Sequence, residues 1–220
     1  MQIFKIFNSV ETNGMRVGFP TTCIQTYSCN AGCPDCQMEY CISPDKIDEQ
    51  TGNFTVMSVD ELLDEIADNG NIHVALCGGE PLIQKDAPEL VAALLDLGYK
   101  VTIHTQGVSE LTAYEKRLVD ILSDDEALNN LSYALEYKCP SSGASDNMLY
   151  KNVNFLIDND ALIFQIKTKE DLDFMTSVID EFEPTAGIFA IPVGLTSQEI
   201  IDYILANNLQ RVRLQLNVRP

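Results

Sequence analysis

Two spacings of apolar residues alternate along most of this chain. After Ser58-Val-Asp-Glu61, which reads as a capping box, Leu62, Leu63, Ile66 and Ala67 fall on one face of a helix. Residues 73–76 are a short apolar run that stops at Gly78-Gly79, as a buried strand does before a turn. The two patterns then repeat. A helix is predicted over 87–97, with Leu90, Val91, Leu94 and Leu95 inward, then a strand over 100–104 and a helix over 111–122. Strands follow over 131–137 and 161–167, and Thr168-Lys-Glu-Asp171 opens another helix. Residues 187–192 form a strand, and Thr196-Ser-Gln-Glu199 caps a helix with Ile200, Ile201, Ile204 and Leu205 on one side. Residues 211–216 make the last strand, and residues 1–7 the first.

Repeated strand–helix alternation predicts an α/β fold with a parallel sheet, in a single domain over residues 1–220. About six or seven strands are too few for a closed eight-stranded barrel. An incomplete, open parallel β/α barrel is therefore preferred to a doubly wound sheet. Either arrangement puts an active site at the C-terminal ends of the strands.

Of the 220 residues, 45% are apolar, enough for a sizeable core, yet no apolar run reaches the roughly 18 residues of a membrane span. The first residues lack a signal peptide's long apolar stretch, so the expected location is the cytoplasm. A formal charge of −19 repels nucleic acid and anionic membranes. An anionic substrate would need local cations, and Arg16, Lys138, Arg211, Arg213 and Arg219 are the candidates.

Five of the seven cysteines fall between positions 23 and 41, a clustering that points to metal or catalysis rather than a disulfide scaffold. In Cys29-Asn-Ala-Gly-Cys33-Pro-Asp-Cys36, three thiolates can wrap one side of a four-iron, four-sulfur cluster and leave one iron open for chemistry. A four-cysteine zinc site of Cys29, Cys33, Cys36 and Cys41 is the alternative, although zinc ligands usually come as two separated pairs. A redox role for Cys33-Pro-Asp-Cys36 alone would leave Cys29 unexplained. Cys23, Cys41 and Cys139 read as buried small hydrophobes. Gly78-Gly79-Glu80-Pro81 adds a turn where backbone can approach a ligand and a carboxylate can meet an ammonium group.

The cysteine spacing with this turn resembles the radical S-adenosylmethionine (SAM) superfamily. His104-Thr-Gln-Gly107, Lys138-Cys-Pro-Ser-Ser-Gly143, Gly18-Phe-Pro-Thr-Thr-Cys-Ile-Gln25 and Arg211-Val-Arg-Leu-Gln-Leu216 are similar to segments of its 7-carboxy-7-deazaguanine synthase family, over almost the whole length. The loop Glu11-Thr-Asn-Gly14 stands where that family carries a Ser-x-x-Gly-Glu-Gly type loop. The resemblance implies a barrel of the radical SAM type with a cluster on Cys29, Cys33 and Cys36. It implies contraction of 6-carboxytetrahydropterin to 7-carboxy-7-deazaguanine with loss of ammonia, a step toward queuosine. It places SAM against Asp35, Gly78, Gly79, Glu80, Thr105, Tyr137 and Lys138. The substrate would meet Glu11, Thr12, Gln25, Cys77, His104 and Pro220. An electron donor such as flavodoxin or ferredoxin, and a homodimer, are implied in the same way.

The substrate half departs from the family. Met38 takes the place of its magnesium-binding hydroxyl, and a soft thioether suits that hard ion poorly. Gln25 replaces the arginine that pairs with the substrate carboxylate, and His104 an acidic residue. A divergent relative acting on another pterin- or purine-like molecule therefore stands beside the main reading. So does a radical-generating activase of a partner enzyme, against which the segment from Lys138 argues.

Overall fold

The computed structural model describes residues 1–34, 36, 38, 40–48 and 52–216. Its sheet has nine strands in the order β3-β1-β2-β4-β5-β6-β7-β8-β9. Strand β1 (Gln2–Val10) turns back into the antiparallel β2 (Pro20–Thr26), and the two-residue β3 (Thr55–Val56) adds to the outer edge of β1. From β2 onward every neighbour is parallel: β4 (His73–Gly78), β5 (Lys100–Thr105), β6 (Leu131–Tyr137), β7 (Ala161–Ile166), β8 (Gly187–Pro192) and β9 (Val212–Leu214). The two ends of the order, β3 and β9, are not paired with each other among the described residues. The sheet is thus an open barrel, as expected, but with nine strands instead of about six or seven.

Pattern reading missed two strands, the two-residue β3 and the longer β2. The β2 sequence, Pro-Thr-Thr-Cys-Ile-Gln-Thr, carries little apolar signal because its polar side chains are buried by pairing. Thr22 donates to Asn8 Oδ1 and Thr26 to the Cys77 carbonyl. Elsewhere the periodicity was a sound guide. Ser58 and Glu61 form a reciprocal cap on α1 (Val59–Asn69). Helices α2 (Ala87–Asp96) and α3 (Leu111–Val119) follow, the latter ending short of residue 122, and α4 (Lys151–Phe155) is a short turn not anticipated. Thr168 with Asp171, and Thr196 with Glu199, cap α5 (Lys169–Phe182) and α6 (Ser197–Ala206).

The main core lies between the sheet and these helices. Leu76, Leu90, Leu94, Ile103, Leu118, Leu135, Phe164 and Met175 are among its fully buried members. Burying such a side chain stabilises by about 1.5–3 kcal/mol each. No helix among the described residues is long and apolar enough to cross a membrane.

Candidate active site

Strand alternation decides which side chains enter the barrel. Val74, Leu76, Ile103, Leu135 and Phe164 pack on the helices, while Ala75, Cys77, His104, Ala134, Glu136, Ile163 and Gln165 turn inward. The inward set lines a cavity of about 570 Å³ at the C-terminal ends of the parallel strands. That size lies within the roughly 300–1,000 Å³ of small-molecule sites.

The lower end of the barrel is stopped by the 3-10 turn Gly14–Arg16. Gly14 passes so close to the sheet that a Cβ there would lie 3.0 Å from that of Ala161. Met15 packs with Ala134, Ala161, Ile163, Phe189 and Ile191 inside the barrel. Arg16 donates to the carbonyls of Val101 and Asn130, 2.7 and 2.8 Å away. This cation therefore closes the floor and is not available to a ligand.

Cys29, Cys33 and Cys36 all line the cavity. The chain reaches Cys29 through Ser28, whose φ of 81° lies in the left-handed region. Beneath them, Gly79 lies against the same loop. A Cβ on it would fall 1.8 Å from the Ser28 carbonyl oxygen and 3.3 Å from Cys29 Cβ. Only glycine allows β4 to dock there, with the Gly79 N–H donating to Thr26 O and the Glu80 N–H to Ser28 O. Three thiols around one cavity, on a loop held by a glycine cradle, fit a cluster in which each cysteine binds its own iron.

Glu80, expected from the resemblance to meet the cofactor, sits beneath the turn after β4. It is fully buried and accepts from Leu82 N–H, Thr105 Oγ1 and Gln106 N–H. Burial pushes its pKa up to about 7 although these donors pull it down. It braces the turn after β4 against the end of β5, and Thr105 is its partner. Tyr137 lies at the cavity as well. Its ring contacts Phe164 and Phe174 in the helix-side core, and its hydroxyl is buried without a partner among the described residues. The next residue, Lys138, turns inward and pairs with Glu136, and Gln165 donates to the other oxygen of Glu136. Burial disfavours the Lys138 charge, but Glu136 and the nearby Cys33 outweigh it and raise its pKa.

On the opposite wall Gln25 and Cys77 are register partners on β2 and β4, and both line the cavity. Thr12 lines it from the loop beside Glu11. Met38 is half exposed at the rim. Asp35, Arg219 and Pro220 lie outside the described residues.

Glu11 and His104 meet on this side, with 2.9 Å between Oε1 and Nε2. The same oxygen accepts from the Thr12 and Asn13 N–H groups at 2.9 and 3.3 Å. Burial would raise the carboxyl's pKa, but His104 and these donors bring it below 4.5; burial would lower the imidazole's, but Glu11 lifts it above 6.5. The stability due to His104 is complete below 6.5 and is lost as pH rises through its raised value. The stability due to Glu11 is complete above 4.5 and is lost as pH falls through its lowered value. The pair is therefore worth most between the two. Thermal unfolding of Glu11→Gln should show a loss of about 3 kcal/mol near pH 5.5 that shrinks as pH rises through the His104 value. A loss independent of pH would contradict the ion pair.

Sequence reasoning missed Glu136 and Gln165, which the inward alternation through Ala134, Glu136 and Lys138 would have revealed. Cys23 is buried, as its reading as a small hydrophobe expected, and it also lines the cavity.

Residues 24–137, just over half of the chain, match the family model described as the Radical SAM superfamily. A 7-carboxy-7-deazaguanine synthase from Methanospirillum hungatei is 33% identical, over 99% of this chain and 84% of its own. Another from Clostridium acetobutylicum is 28% identical, over 99% and 93%. The crystal structure of QueE from Escherichia coli has the same fold, with a TM-score of 0.74 at 18% identity over 99% of this chain and 94% of that one. A cavity ringed by three cysteines at the mouth of an open β/α barrel, with likeness over the full length, gives one conclusion: the chain belongs to the radical SAM superfamily and, within it, to the 7-carboxy-7-deazaguanine synthases.

Proposed function

We propose that this protein contracts the ring of 6-carboxytetrahydropterin to 7-carboxy-7-deazaguanine, releasing ammonia, with a four-iron, four-sulfur cluster and SAM as cofactors. The observation that carries the reading is one cavity with the Cys29, Cys33 and Cys36 thiols in its lining and the Glu11–His104 pair on its wall. When bound, the cluster and SAM supply a carbon-centred radical able to take a hydrogen atom from an unactivated C–H bond. The three cysteines would hold the cluster. The Gly78-Gly79 turn gives the cofactor a surface without side chains, kept rigid by Glu80. Lys138 puts a buried cation beside an anionic cluster and offsets its charge.

On the substrate side Glu11 favours the protonated form of His104, the form that presents a donor to an anionic or carbonyl oxygen. Gln25 offers both a donor and an acceptor but no charge. The cytoplasm is the proposed location, and a flavodoxin or ferredoxin the proposed electron donor.

Anaerobic turnover of 6-carboxytetrahydropterin with SAM and a reductant tests the reading, with 7-carboxy-7-deazaguanine as the expected product. A brown, iron-loaded chain that leaves this substrate unchanged but converts a related pterin or purine would move the assignment to a divergent member, a reading that Gln25 favours. Met38 at the rim predicts weak magnesium dependence, with turnover within about twofold after the ion is chelated. Strong stimulation by added magnesium would contradict that.

A further inference from the structure

Of the four cysteines outside the Cys29, Cys33, Cys36 set, three are engaged elsewhere. Cys23 and Cys77 sit on the barrel strands β2 and β4, and Cys139 is buried with its thiol toward the Tyr137 carbonyl. Cys41 is different. The Ser28 N–H donates to Tyr40 O at 2.6 Å and the Cys29 N–H to Ile42 O at 2.9 Å, which lays residues 40–42 alongside 28–29. Cys41 lies between the two anchored residues and is only half buried. It lines the same cavity as Cys29, Cys33 and Cys36. It is thus no inert packing group, as its sequence context had implied.

Three cysteines leave one iron of a four-iron cluster without a protein ligand. Thiolate is the soft ligand that iron in such clusters prefers. We propose that Cys41 is a displaceable fourth ligand, capping the open iron while SAM is absent and yielding to the cofactor's amino and carboxylate groups. The proposal rests on the reading of Cys29, Cys33 and Cys36 as cluster ligands. Capping breaks the Cys41 S–H bond, sends the proton to solvent and forms an iron–sulfur bond. Displacement reverses both changes, with no net oxidation or reduction. The cap retains an iron that a three-cysteine site would lose to oxidants or chelators.

The test uses the full chain, reconstituted without oxygen, with iron content measured first. Mild ferricyanide oxidation in the absence of SAM is followed by the EPR signal of the three-iron cluster that appears as the fourth iron leaves. Cys41→Ser should lose that iron roughly tenfold faster or more, a scale on which even outer partners of a metal act. Cys139→Ser should behave as the wild type. Equal rates in the wild type and Cys41→Ser overturn the proposal. A second measurement needs no variant: iodoacetamide labelling of Cys41, located by peptide mass, should increase when SAM is added to the wild type. Unchanged or reduced labelling overturns it. A wild-type chain that takes up no iron removes the ligand set itself, and the iron measurement separates that failure from this one.

Discussion

Gly79→Ala is expected to cost the protein about 3–5 kcal/mol of stability and to stop it from loading iron. The added methyl would lie 1.8 Å from the Ser28 carbonyl oxygen, far inside contact distance, and backbone cannot swing aside as a flexible side chain does. Either the turn after β4 or the loop entering Cys29 must retreat. The first loses the Gly79-to-Thr26 and Glu80-to-Ser28 hydrogen bonds, worth about 1 kcal/mol each, and the overpacking adds roughly 1–3 kcal/mol. The second moves Cys29 away from its fellow ligands. A thermal melt of the metal-free chain reads the first effect, as a fall of roughly 10 °C for a chain of this size. Iron and sulfide content after anaerobic reconstitution reads the second. A variant that melts and loads like the wild type would mean that the glycine cradle has no part in placing the cluster.

Cys33→Ala separates chemistry from folding. Cys33 is half exposed at the cavity, and burial raises its thiol's pKa. Truncating it removes one sulfur from a surface-facing wall and should change stability by no more than about 0.5 kcal/mol. Cleavage of SAM driven by dithionite should nevertheless become undetectable, because a cluster with two protein ligands does not persist. Circular dichroism, with chromatography of released 5′-deoxyadenosine, measures both. Normal cleavage by this variant under anaerobic conditions would remove the cluster from Cys33 and reopen the zinc reading.

The helices and parallel strands were legible because each buries one stripe or one continuous run, so their apolar spacing survives in the sequence. Ser58, Thr168 and Thr196 announced three helix starts for a similarly local reason: a cap satisfies its own first turn. Strand β2 was obscured because Thr22 and Thr26 are buried by hydrogen bonds that depend on β1 and β4, which no local pattern records. The cysteine spacing revealed the chemistry, yet side-chain direction was harder to read. Tyr137 ends β6, and one step of alternation sends its ring to the helices and Lys138 to the cavity. Cys41 is five residues past the last cysteine of the motif and meets the first only because residues 40–42 fold back on 28–29.

The turn that stops the lower end of the barrel fixes traffic as well as shape. With Met15 packed inside and Arg16 tied to Val101 and Asn130, the floor is shut, and exchange of small molecules falls to the C-terminal end of the barrel. Arriving substrate and departing product share that doorway. A product molecule that lingers therefore excludes the next substrate, and its accumulation slows turnover competitively. Flux through the enzyme is then governed in part by how quickly the next reaction in sequence removes what this one makes.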